Sequence, residues 1–160
     1  MFTSLWEDSN TYQPSLTIKL TVVAIAGVLE GYLNDVTVFK LLDPDLVEGK
    51  VGLYCSSNGT ARFSQVLVHS SDYLFNGWLL NESFNVLDLS RWTYEDEGFI
   101  NAPSNWQLQT GKLCQTSLIS DGSTDPADLT KAGTYALAGN KNWSDYRLCV
   151  RLQSQNTDDQ

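Results

Sequence analysis

Residues 49–68 constrain the fold more than any other stretch of the chain. Val51 to Cys55 is rich in residues that favour extended backbone, and Ala61 to Val68 reads the same way. Between them lies Ser56-Ser57-Asn58-Gly59. An Asn-Gly pair favours positive φ at both positions, as type I′ hairpin turns require, so the expectation is strand, tight turn, strand. A chain committed to such a unit must find more strands to pair with, because a lone hairpin is marginal in water.

Those strands are readable elsewhere. Leu16, Ile18, Leu20 and Val22 alternate with Thr17, Lys19 and Thr21, the period-two pattern of a half-buried strand. Val28 to Leu33 and Val36 to Leu41 follow, joined by an Asn34-Asp35 turn. Later come Trp92 to Glu95, Trp106 to Gln109, Leu113 to Thr116 after Gly111, Tyr135 to Ala138 and Tyr146 to Leu152. In the last of these Tyr146, Leu148, Val150 and Leu152 alternate with Arg147, Cys149 and Arg151. No long amphipathic helix interrupts the series. Many short strands at regular spacing predict an all-β, antiparallel sandwich. Residues 69–82, aromatic and ordered, read as a connection, with His69 as a connecting residue and no catalytic partner for it.

Composition narrows the function. Ten Lys and Arg stand against 19 Asp and Glu, a formal net charge of −9 on 160 residues. An acidic surface repels phosphate backbones, so no nucleic-acid partner is expected. The most apolar run, Leu20 to Leu29, is too short to span a bilayer, and Glu7 and Asp8 precede it with no basic cluster. Neither membrane insertion nor a targeting role is expected of it. The cysteines Cys55, Cys114 and Cys149 are odd in number and lack zinc-ligand spacing. Cys114 and Cys149 can pair only if their strands are neighbours; otherwise all three are small buried hydrophobes.

The motifs resemble laminin-G-like, concanavalin A-like jelly-roll repeats, in swapped order. Leu16 to Leu41, Lys50 to Tyr54 and Arg62 to Val68 are similar to the late part of such a repeat. Glu82 to Trp92, Asn105 to Cys114, Gly133 to Gly139 and Trp143 to Leu152 are similar to the early part. The resemblance implies a C-terminal half-module over 1–70, a connection over 71–81 and the N-terminal half of a following module over 82–160. An ending placed mid-chain suggests a piece of a longer array. Such halves either close into one sandwich, like a circular permutant, or leave open edges for other chains. The family's last strand carries acids after its Phe, where this chain has Ser64-Gln65, so a metal there is not expected.

Several residues are candidates for chemistry. Laminarinase-like hydrolases of this fold use Glu-x-Asp-x-x-Glu; in the consecutive Glu95-Asp96-Glu97 the middle acid would point the other way on a strand, and Gly98 follows at once, so a loop is expected and catalysis is not. Asp121, Asp125 and Asp128 in a polar loop offer hard oxygen ligands, and Glu82 with Asp88 offers a second set; a structural Ca²⁺ is the one cofactor these suggest, though turn chemistry explains the same residues. Trp78, Trp143 and Tyr94 are the candidate sugar platforms, among aromatics that include Tyr73 and Tyr135, with Trp92 and Trp106 expected in the core. Asn58, Asn81 and Asn142 begin glycosylation acceptor patterns, meaningful only in a secreted eukaryotic protein. The expectation is a non-catalytic extracellular or cell-surface module that binds carbohydrate or a protein surface beside its neighbouring modules. The alternatives are an accessory piece of a carbohydrate-active enzyme and a structural spacer.

Overall fold

The computed structural model describes residues 12–71, 77–86, 89–123 and 132–154. The architecture is all-β and β-sandwich-like, with antiparallel sheets. Its strands are β1 (Ile18–Ile25), β2 (Val28–Leu33), β3 (Val36–Leu42), β4 (Val51–Cys55), β5 (Arg62–Ser70), β6 (Trp78–Glu82), β7 (Trp92–Asp96), β8 (Trp106–Gln109), β9 (Lys112–Gln115), β10 (Thr134–Ala138) and β11 (Tyr146–Gln153). An eight-stranded sheet runs β3-β2-β1-β11-β5-β9-β8, with β6 also pairing β5, and a three-stranded sheet runs β4-β10-β7.

The two ends of the sequence interlock. β11 lies between β1 and β5, pairing Leu20 with Val150 on one side and Val68 with Leu148 on the other. β10 likewise lies between β4 and β7, pairing Ala136 with both Leu53 and Tyr94. Both sheets therefore combine strands from before residue 71 with strands from after residue 82. Between the sheets sit Val51, Leu53, Phe63, Val66, Val68, Leu80, Leu113, Ala136 and Val150. Trp92 and Trp106 join this core, as the sequence reading expects.

Local turn chemistry joins neighbouring strands. Ala26-Gly27, Asn34-Asp35 and Thr110-Gly111 are two-residue loops with positive φ at both positions, the I′ geometry whose twist matches the flanking strands. The Asn58-Gly59 expectation fails. β4 and β5 belong to different sheets, so their connection is a corner and not a hairpin. Ser57 takes the left-handed conformation, at φ 51°. Asn58 Oδ1 instead accepts the Thr60 N–H at 2.9 Å. Gly59 is there for closeness: a Cβ would come within 3.2 Å of the Thr116 carbonyl oxygen.

Two further expectations are corrected. The first strand starts at Ile18 and runs to Ile25, leaving Leu16 about half exposed, because Ser15 turns the chain at φ 65°. The connection assigned to 71–81 contains most of β6, which pairs with Val66 to His69 of β5 and continues the sheet. His69 is accordingly a β5 strand residue.

Candidate functional site

Alternation along β1, β2, β5 and β11 divides the large sheet into two faces. Leu20, Leu148, Val150 and Leu152 point inward to the core. Their alternates point outward and line up across the strands. Lys19 pairs with Arg151, Thr21 with Cys149 and Val23 with Arg147. Arg147 pairs with His69, and His69 with Trp78. On the other flank Thr21 pairs with Tyr32, Val23 with Glu30, and Glu30 with Lys40. The outer face thus carries a row Lys40, Glu30, Val23, Arg147, His69, Trp78 crossing the sheet.

This face differs from the rest of the molecule. The cations Lys19, Lys40, Arg147 and Arg151 outnumber the acids Glu30 and Asp35, on a chain of formal net charge −9. Lys19 Nζ meets Asp35 Oδ1 at 2.6 Å, and Lys40 Nζ meets Glu30 Oε1 at 2.5 Å. The Tyr32 hydroxyl donates to the other Glu30 oxygen at 2.6 Å. The Lys40 and then the Tyr32 hydrogen bond hold the Glu30 carboxyl below the usual carboxylate range. The same contact with Glu30 raises the Tyr32 phenol. Arg151 donates to Gln65 Oε1, at the point where Gln65, φ 54°, stands in the β5 bulge. A groove of about 300 Å³ runs between Lys19, Thr21, Tyr32, Asp35, Arg147 and Cys149.

Trp78 stands at the end of this row. Its side is 54% exposed, and the His69 ring packs against it edge-on, with centroids 5.0 Å apart at 88°. The other two aromatic candidates lie elsewhere. Trp143 is half-buried and packs against the core. Its ring covers Gly139, where a Cβ would approach within 2.3 Å, so its polar neighbours mislead about its exposure. Tyr94 faces the interior side of the small sheet and stacks on Trp106, with centroids 5.9 Å apart and planes at 17°. Burial raises its phenol above the ordinary value. The structure therefore does not bring Trp78, Trp143 and Tyr94 to one site.

The carboxylate candidates are engaged locally. Glu82 Oε1 accepts the Phe84 N–H at 2.9 Å. Asp121 accepts the Ser123 N–H at 2.8 Å and the Ala132 N–H at 3.2 Å. Asp88, Asp125, Asp128 and Tyr73 lie outside the described residues. Among the described residues no three His, Cys, Asp or Glu side chains converge as a metal site would require. The acidic triplet is not the loop expected: Glu95 and Asp96 end β7. Asp96 Oδ2 accepts the Ser104 N–H at 2.8 Å, while Glu97 Oε2 accepts the Tyr135 hydroxyl at 3.2 Å. Burial pushes the Asp96 carboxyl up, but hydrogen bonds from Ser104 and Thr134 outweigh it and the net shift is downward. Burial, with the Glu97 charge and hydrogen bond, pushes the Tyr135 phenol up to about 12.

None of Cys55, Cys114 and Cys149 is in a disulfide. β5 separates the strands of Cys114 and Cys149, so the neighbour condition for a bridge is not met. A scan against protein-family profiles matches none to this chain, and a search of curated proteins finds no significant match.

Proposed function

We propose that this chain is a non-catalytic binding module of a larger extracellular or cell-surface repeat protein, and that the outer face of the eight-stranded sheet is its recognition surface. The fold we infer for it is a jelly-roll sandwich of the concanavalin A-like, laminin-G-like kind, closed from two half-modules. The observation that carries the binding reading is Trp78, exposed at the end of a row that also holds His69 and Arg147. A flat aromatic ring stacks on the C–H face of a sugar, while neighbouring donors bond its hydroxyls. His69 and Arg147 supply such donors on a rigid strand platform, so little ordering entropy opposes binding. The ligand we favour is carbohydrate, with an extracellular protein surface as the other occupant of the same face.

The non-catalytic part of the reading rests on the acids. A glycosidase needs two carboxyl groups facing one bond, roughly 5 to 9.5 Å apart. Here Asp96 and Glu97 are held by Ser104 and Tyr135, and Glu95 lies on the opposite strand face from Asp96. The test is a glycan array or polysaccharide pull-down with the wild type and Trp78→Ala. Binding that Trp78→Ala abolishes and Trp143→Phe leaves intact supports the reading. Equal binding by Trp78→Ala, or hydrolysis of a β-glucan by the isolated chain, overturns it.

A further inference from the structure

A second, separate surface lies on the inner side of the large sheet. Among the described residues the small sheet stops at β4, which pairs β10 on one side, whereas the large sheet continues through β1, β2 and β3. The inner face of those strands is apolar: Val22, Ala24, Leu29, Leu33 and Leu41 are half-buried, and the Phe39 ring lies over Gly31. A groove of about 240 Å³ opens where the segment Gly49–Gly52, which leads into β4, lies beside Val22, Ala24 and Leu29. Leu46 and Val47 on its rim are 50% and 51% exposed.

At this groove the Gly52 backbone groups of β4 have no partner among the described residues. The Gly133 carbonyl accepts from Glu97 and Gly98 on the β7 side, so the alternate residues Thr134, Ala136 and Ala138 face β4. Their partners Cys55, Leu53 and Val51 face back toward β10. Gly52, between them, directs its N–H and C=O away from β10 and over the groove.

We propose that this groove is a strand-acceptor site, which takes an extended segment of a partner polypeptide with apolar side chains at every second position. Such a segment alone satisfies both features together: its backbone continues the ladder past β4, and its inward side chains cover Val22 and Leu29. A lipid or small apolar ligand covers the face but leaves the Gly52 groups without partners. The size of the gap also decides the occupant. Three strands of width and five residues of length give an area on the order of 250 Å². That is far below the roughly 800 Å² per partner of a stable globular interface, so a segment fits where a whole second copy does not.

The test is selection from a displayed library of random linear peptides, followed by affinity measurement on the intact chain. The expected binders show apolar residues at period two, and binding slows hydrogen exchange at the Gly52 amide. Gly52→Pro removes an edge donor without removing a β10 ladder bond, and weakens the best peptide by about tenfold or more. Val47→Glu places a charge on the exposed rim, weakens it as well and is expected to melt within a few degrees of wild type; at Gly52 an added Cβ meets the flexible end of the Leu137 side chain at 2.9 Å, so Gly52→Pro is melted alongside it and the Val47→Glu result stands independently. Absence of binders, binders without the period-two pattern, or peptide binding indifferent to Gly52→Pro refutes the proposal. Concentration-dependent self-association that Gly52→Pro abolishes assigns the edge to a second copy and refutes it too.

Discussion

Thr134→Val is the most discriminating change to the core. Thr134 is fully buried on β10, between β4 and β7. Its hydroxyl accepts the Trp106 indole N–H at 3.0 Å and donates to Asp96. Valine has nearly the same shape but no hydroxyl, so packing is kept while two hydrogen bonds are lost. The buried indole N–H is then left without its acceptor, which costs about 1–3 kcal/mol. With a urea m-value of about 2 kcal/mol/M for a chain of this size, the unfolding midpoint falls by roughly 0.5–1.5 M. The pH dependence changes in a specified direction. Asp96 has a lowered folded pKa, so it adds stability above its ordinary value that is lost as pH falls through the folded value. Thr134→Val removes one of the bonds that lowers it, so this acid-sensitive component shrinks. Urea melts at neutral pH and at successively lower pH measure both effects. A midpoint unchanged at neutral pH, or an acid sensitivity equal to wild type, refutes the Trp106–Thr134–Asp96 linkage.

Other perturbations follow from the same packing. Trp106→Phe is expected to cost more than Trp92→Phe in urea melts, because the Trp92 indole N–H is buried with no partner among the described residues. Gly133→Ala places a Cβ about 2.2 Å from the Cys55 carbonyl oxygen, and overpacking of this kind costs typically ~1–3 kcal/mol, again read from urea melts. Trp78→Ala, by contrast, leaves stability within about 0.5 kcal/mol of wild type, since the residue is mostly exposed. Thiol alkylation of the native protein modifies half-exposed Cys149 before Cys55 and Cys114, the latter buried and its thiol raised by burial, and reductant leaves the melting temperature unchanged.

Much of the strand content was legible because its signals are local. Alternation marks β1 and β11, and a two-residue Asn34-Asp35 loop needs only its own positive φ angles. What was not legible is which strand meets which. Nothing near Lys19 indicates that Arg151 lies beside it, so the cationic outer face emerges only when β1 pairs β11. Asn58-Gly59 shows the same limit: the turn signal is real, but hairpin or corner depends on the sheets β4 and β5 join. β6 escaped because its five residues put Trp78 outward and Leu80 inward, which blurs the alternation. Trp143 misled because its polar sequence neighbours do not indicate that its ring covers the bare Gly139 backbone and packs against the core.

The outer-face account is tested most directly by mapping amide shifts in isotope-labelled protein against a panel of soluble polysaccharides. It predicts saturable shifts confined to β1, β11, β5 and β6, centred on Arg147, His69 and Trp78. Shifts centred on the sandwich ends or on the small sheet, or a panel that shifts nothing, contradict it.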